Sequence, residues 1–376
     1  MFKTNLFYRF RKIILFFFSR KIENIPGVEY DIILGKQKII LNSGVEKVLK
    51  QSQNTKKIND QLFETPEGQV TLVNNIILHG NSGLISFKGK YIVESALSFN
   101  RLLKIRSAIR DLFYSLFKSK KIDNNEFYTS IIHLPWGESS NYHWFIDCLS
   151  RIYLLQSYRE RKLNIYVHES IKKFQIETLR FCIPENWTIQ TLPKKKNIKI
   201  HNFYFLNFQS KENSGYLHPK IVDFLKTKIF EGYSLENNSY KSKKKKNRIY
   251  ISRKNAQIRR IFNEKDFCIF LNKFEFTTYY AEQLSYAEQV KLFKNAEIII
   301  SPHGAGLTNF LFSSSPLIIE IHPEHRVKSH YAMLSLSVNS KYFSVLAPVK
   351  NRKNDEMYLT SKEFDLIEKI IKTNHG

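Results

Sequence analysis

The stretch Ser301-Pro-His-Gly-Ala-Gly-Leu-Thr-Asn309 follows an apolar run and places a histidine beside two of the chain's 13 glycines. Gly304 and Gly306 permit a tight turn and close backbone approach, because neither carries a side chain. The backbone N–H groups that open the next helix then point outward with partial positive charge, which makes an anion site. Ser301 leads into the turn, His303 adds a donor at its rim, Ala305 separates the glycines, and Asn309 can hydrogen-bond from the first helical turn. A glycine turn can also serve only to pack a helix on its strand. The order strand, turn, histidine, helix favours the anion. The stretch lacks the Gly-Lys-Ser/Thr of phosphate loops, and Asn309 stands where the dinucleotide fingerprint wants its third glycine.

Two further clusters carry reactive groups. Ser252-Arg-Lys-Asn-Ala-Gln-Ile-Arg-Arg-Ile-Phe-Asn-Glu264 follows another apolar run, and Arg253, Arg259 and Arg260 can each grip a phosphate through paired hydrogen bonds. Taken alone, it reads as a solvated basic loop. In Asn141-Tyr-His-Trp-Phe-Ile-Asp147, His143 and Asp147 stand four apart and share one helix face. Either can remove a proton from a hydroxyl, or one can orient the other. A core histidine beside a structural carboxylate has the same spacing. No Asp-x-Asp triplet occurs, the nearest pattern being Glu264-Lys-Asp266, so no metal is expected and arginines with helix dipoles take its place. Gly-x-Ser-x-Gly and His-Glu-x-x-His are also absent, which weakens hydrolase readings.

The elements that must hold these groups follow from periodicity. Residues 30–34, 69–78 and 90–93 are expected strands of an irregular N-terminal region, with a turn at Asn81-Ser-Gly83. From 127 the pattern alternates: a strand at 127–134, a loop at 135–141, a helix at 142–158, a strand at 163–168 and a helix at 170–182. That is the pattern of an α/β domain with a parallel sheet. The polar stretch 236–246 is the expected linker. Beyond it, strands at 247–252, 276–281, 297–301, 317–322 and 342–346 alternate with helices at 263–273, 285–295, 328–336 and 361–372. Ser285-Tyr-Ala-Glu288 is a capping box. Such a doubly wound sheet binds ligands outside the carboxyl ends of its strands, where the glycine turn and the arginine cluster fall.

A chain of 376 residues with 43% hydrophobic residues is long enough for two cores and too apolar for disorder. Its net charge of +25 favours an anionic partner: nucleic acid, an acidic membrane face or a phosphorylated substrate. Cys148, Cys182 and Cys268 form neither a disulfide framework nor a zinc pattern. Residues 1–22 hold six basic residues and no acid, with Phe2, Leu6, Phe10, Ile13 and Phe17 at helical spacing. The longest apolar run there is far short of a bilayer span of about 20 residues, and no signal-peptide cleavage pattern follows it. Two readings stand: a helix on an anionic membrane surface, or a helix packed on the protein itself. The basic runs 193–199 and 241–248 are expected to be solvated loops.

Three strings, NYHWFIDCLSRIYLL, IYISRKNAQIRRIFNE and LSYAEQVKLFKNAEIIISPHGAGLTNFLF with LIIEIHP, together resemble glycosyltransferase family 61 over about half of the chain, residues 131–323. The resemblance implies a GT-B-like architecture of two facing Rossmann-like lobes: a basic segment 1–22, an acceptor lobe 23–235, a linker 236–246 and a nucleotide-sugar lobe 247–376. It implies inverting transfer of a sugar from a nucleotide donor, commonly a UDP-sugar. Arg253 and Arg259 would touch the donor phosphates. Ser301, His303, Gly304, Ala305, Gly306 and Asn309 would frame the pyrophosphate, with Glu320 near the ribose or base. His143 and Asp147 would face the acceptor, Asp147 being the first choice for the base.

Animal and plant relatives usually carry an N-terminal anchor, which this sequence lacks. A bacterial cytoplasmic enzyme, peripheral on the inner membrane and acting on a surface glycan or lipid-linked saccharide, fits better. Two other classes compete: a nucleic-acid-binding basic protein and a non-catalytic glycan-binding module. Against nucleic acid, the basic runs are not interleaved with aromatic residues on one face, as single-strand readers require.

Overall fold

The computed structural model describes residues 2–52, 64–105, 107–109, 111, 119–122, 125–133, 136–211, 214–235 and 247–374. The expected linker 236–246 lies outside them, as does most of the basic run 241–248. The chain divides into two compact α/β units: Met1–Lys36 with Pro66–Glu212, and Gln37–Thr65 with Asn213–Gly376. Residues 37–65 and 213–235, expected in the first lobe, thus fall in the second unit.

The first unit holds one ten-stranded mixed sheet. Its strands are β1 (Ser19–Arg20), β2 (Glu29–Leu34), β3 (Gly68–His79), β4 (Ile85–Phe87), β5 (Lys90–Ile92), β6 (Ser119–Lys121), β7 (Phe127–Ser130), β8 (Leu163–His168), β9 (Trp187–Leu192) and β10 (Asn197–Leu206). Strands β10, β7, β8 and β9 are parallel neighbours, as the alternating pattern implies. The N-terminal strands join the same sheet, since β3 pairs antiparallel with β10 from Val70–Leu206 to His79–Asn197. A simple parallel Rossmann-like sheet is therefore replaced by a mixed one. The reason is topological: the turn at Asn81–Gly83, where Gly83 takes a left-handed φ of 67°, folds β4 back on β3, which only antiparallel neighbours allow. The run at 193–199 is split, with Lys194–Lys196 forming an exposed turn and Asn197 starting β10.

The second unit is doubly wound. Strands β11 (Asn247–Ile251), β12 (Phe276–Tyr279), β13 (Ala296–Pro302), β14 (Leu317–Pro323) and β15 (Lys341–Ala347) lie in the order β12-β11-β13-β14-β15, all parallel. Every residue of β14 is buried, as expected of a strand covered on both faces. Helix Tyr286–Lys294 starts with both bonds of the Ser285–Glu288 capping box formed. Strand β12 lies on one side of β11 and β13 on the other. The strand order therefore reverses between β11 and β13, and that crevice is where such sheets bind ligands.

Candidate functional site

The crevice is present. A cleft of about 280 Å³ is lined by Ser252, Arg253 and Asn255 after β11, by Ala281 and Glu282 after β12, and by Ser301, Gly304 and Gly306 around the end of β13. The glycine turn and the arginine cluster, separate in sequence, thus share one wall. Gly304 has extended backbone, φ −177°, which any residue adopts. The missing side chain matters for a different reason: a Cβ there would overlap the Arg253 guanidinium and force it to shift. At Gly306 a Cβ would meet Ile251 Cγ2 at an ordinary 3.5 Å.

Arg253 donates from Nη2 to the Ile258 carbonyl at 3.2 Å. Arg259 sits in left-handed backbone, φ 60°, pinned by its N–H to the Asn354 carbonyl at 2.7 Å. Its Nη1 donates to the His303 carbonyl at 3.1 Å. The Nε of each arginine is buried without a hydrogen-bond partner among the described residues, and there neither arginine forms an ion pair with a carboxylate. Burial, and then repulsion from Arg259, lowers the pKa of Arg253. Burial and Arg326 do the same to Arg259. The cleft therefore holds positive charge that a phosphate would compensate with charge-assisted hydrogen bonds. Ala305 and Gly306 open the helical turn Ala305–Phe312, and first-turn N–H groups have no intrahelical acceptor. Arg260 is turned to Glu356 at 2.9 Å and takes no part.

Two of the expected site residues, Asn309 and Glu320, are buried. Asn309 is fully buried: its Oδ1 accepts from Tyr286 Oη at 2.9 Å, and its Nδ2 donates to Gln289 Oε1 at 2.8 Å. These bonds tie the turn to the helix Tyr286–Lys294. Glu320 is also fully buried, bonded by one oxygen to His303 Nδ1 and by the other to Tyr342 Oη, with His322 Nε2 at 3.4 Å. Burial opposes its charge, yet His322 and His303 outweigh burial and hold the carboxyl well below the usual range. Burial in turn lowers the pKa of His303, against the opposing pull of Glu320. Glu320 thus fixes the ring of His303 from within the core. Ser301 Oγ bonds to the Ile251 and Pro302 carbonyls at 2.9 and 3.0 Å, tying β13 to β11.

In the first unit, His143 and Asp147 do meet, with Nδ1 to Oδ2 at 2.5 Å. The expected loop at 135–141 is largely helical, in the turns Trp136–Ser139 and Asn141–His143. Asp147 lies in a π-helical turn, Trp144–Cys148, followed by the 3-10 run Leu149–Tyr158. Such wide turns often mark functional positions. A third member was missed: His133 Nδ1 lies 3.4 Å from the same Asp147 oxygen. Its ring packs against Trp136 and Phe208, and Arg151 covers Phe208 at 4.5 Å. Burial again opposes the charge of Asp147, and the two histidines, His133 close by and His143 hydrogen-bonded to it, overcome burial, so the carboxyl is held low. Burial lowers the pKa of His133. The side chain of His143 is 18% exposed and that of Asp147 only 7%.

His133 and His322 both stand at the carboxyl ends of parallel strands, the one signal that could have flagged them. Within each triad, His133, His143 and Asp147 or His303, Glu320 and His322, the potential ligand atoms lie within 4.8 Å of one another. These are the ligand types of a transition-metal site.

An α/β protein with a basic cleft at the switch point of a doubly wound unit belongs among the folds that bind phosphorylated ligands in that crevice. Residues 142–320 match the family model of glycosyltransferase 61. The match opens one residue before His143 and closes on Glu320, enclosing Arg253, Arg259 and the glycine turn. No curated protein matches the chain.

Proposed function

We propose that the protein is an inverting glycosyltransferase of GT-B type that moves a sugar from a UDP-sugar to a hydroxyl of a growing surface glycan or lipid-linked saccharide in the cytoplasm. In this reading the second unit holds the donor and the first holds the acceptor. The observation that carries it is the cleft that joins Arg253 to the glycine turn with no carboxylate paired to Arg253 or Arg259 among the described residues. Arg253, Arg259 and the first-turn amides at Ala305 and Gly306 take the charge that grows on the leaving diphosphate, and no metal is needed for it. His303, fixed by Glu320, presents its remaining ring nitrogen at the rim.

The base is His143 and not Asp147. Asp147 is buried, ionised and engaged by two histidines, so it orients the ring. With Nδ1 donating to Asp147, Nε2 of His143 is free to take the acceptor proton. The acceptor oxygen then forms a bond to the anomeric carbon as the bond from that carbon to the phosphate oxygen breaks. The products are an inverted glycoside and a nucleoside diphosphate.

Calorimetry against UDP, GDP, CDP and CMP, with and without EDTA, tests the donor site beside the Gly304→Trp variant. The expected result is selective binding of UDP, indifferent to EDTA and lost in the variant. Absence of nucleotide binding, with tight salt-sensitive binding of oligonucleotides instead, would overturn the reading in favour of a nucleic-acid-binding protein.

A further inference from the structure

Over residues 9–17, where its side chains are described, the helix Phe2–Phe17 packs one face on its own unit. Leu15 is fully buried in a cluster with Leu84, Tyr91 and Leu102, and the buried guanidinium of Arg11 donates to the Ile105 carbonyl. Packing on the protein therefore accounts for that side. On the other side Phe10, Ile13, Phe16 and Phe17 are 61, 56, 69 and 65% exposed. Arg9 and Lys12 are exposed with them. At 100° per residue these six positions fill an arc of about 160°, and Arg11 and Leu15 lie outside it. Four large apolar side chains and two cations thus share one solvent-facing surface, and residues 1–22 contain no acid. Lys21 is set apart by its ion pair with Glu23 at 3.0 Å.

We infer that this face docks on an anionic lipid bilayer. The phenyl rings and Ile13 enter the boundary between headgroups and acyl chains, while Arg9 and Lys12 meet lipid phosphates. Charge decides between occupants. A second copy of the chain, face to face, would set Arg9 and Lys12 against their own equivalents, whereas an anionic surface complements both. The helix lies on the membrane and does not cross it, since no helix among the described residues is long and apolar enough to span one. The inference does not rest on glycosyl transfer.

The test uses the full chain and sedimentation with vesicles of phosphatidylcholine, with or without phosphatidylglycerol. Wild type is expected to bind the anionic vesicles and spare the neutral ones. The triple variant Phe10→Ser, Ile13→Ser, Phe17→Ser changes exposed positions only, and should lose about tenfold or more in binding. Arg9→Gln with Lys12→Gln should lose several-fold and flatten the salt dependence. Phe17→Trp supplies a positive signal independent of any lost fold: brominated lipid should quench the added indole. Undiminished binding of the triple variant, equal binding to neutral vesicles, or an unquenched indole would each overturn the proposal. So would a dimer in light scattering that the triple variant dissolves, because the face would then be covered by a second copy.

Discussion

Asp147 lies between His133 and His143 in the first unit, and Glu320 lies between His303 and His322 in the second. In each cluster one histidine is buried and the other is partly open, His143 at 18% and His303 at 15%. The surroundings differ. Glu320 also accepts from Tyr342, and Arg259 donates to the carbonyl of His303 beside the basic cleft. Around His133 and His143 stand Trp136, Phe208 and Tyr142. A histidine next to uncompensated guanidinium groups is a poor place to add another proton, and a good place for a fixed donor or acceptor toward an anion. A histidine oriented by a carboxylate in an aromatic setting can take a proton and share its charge with that carboxylate. On the proposed function, one arrangement of side chains would serve proton transfer in the first unit and ligand framing in the second.

The largest effect that tests this contrast is on turnover. His143→Gln should lower sugar transfer by about 10²–10⁴-fold, the usual contribution of a general base, and leave UDP affinity unchanged by calorimetry. His303→Gln should do the reverse, weakening UDP binding with a smaller loss of turnover once donor is saturating. Equal losses of turnover in both variants, with unaltered UDP binding, would erase the distinction.

Stability should show what the clusters have in common. Asp147→Asn and Glu320→Gln each leave histidines facing a neutral amide, and breaking a buried pair costs on the order of 3 kcal/mol, read from urea unfolding at pH 7. Both carboxylates are held below their ordinary pKa. Their contribution is therefore complete above the unfolded value near pH 4 and lost as pH falls below it. The penalty of either variant should shrink as urea unfolding is repeated toward pH 3. A pH-independent penalty for Glu320→Gln alone would mean that its bond to Tyr342, and not its charge, holds the second cluster.

Ligand binding separates the two glycines. Gly304→Ala drives a methyl into the guanidinium of Arg253 and should weaken UDP binding about 10–100-fold, the worth of a charge-assisted hydrogen bond. Arg253→Gln should match it, and the double variant should be little worse than either single one. Additive losses would show that Gly304 acts on something other than Arg253.

The parts of this molecule legible in sequence are the local ones. The second sheet is built from short apolar runs between capped helices, so its strands were readable within a residue or two at most ends. His143 and Asp147 are one helical turn apart, so their contact was too. The missing parts depend on which distant segments become neighbours. The long pairing of β3 with β10 has no local sign, and β9 and β10 were not foreseen because polar TIQTL and the lysine run 194–196 hide their periodicity. Glu320 meets His303 because β13 and β14 are paired with Ser301 opposite Glu320. Sequence order placed the carboxylate near the site and could not tell that it stands behind the histidine. His133 reaches Asp147 from the end of β7, across residues that themselves carry no such signal.

Gly306 shows the same limit in its smallest form. In sequence it is the twin of Gly304, but its backbone is not left-handed, since among the described residues the glycines with positive φ are Gly27, Gly83, Gly89 and Gly215. A methyl there would touch Ile251 Cγ2 at 3.5 Å and Ala281 Cβ at 3.9 Å, both ordinary contacts. Gly306→Ala should therefore change stability by less than about 0.5 kcal/mol, or raise it slightly by restricting the unfolded chain. Gly306 nonetheless lines the cleft, so the added methyl occupies ligand space. UDP affinity should fall a few-fold if the diphosphate lies against the backbone of this turn. An affinity equal to wild type, beside a weakened Gly304→Ala, would place the phosphates on the arginine side of the cleft and leave the first-turn amides without a role in binding them.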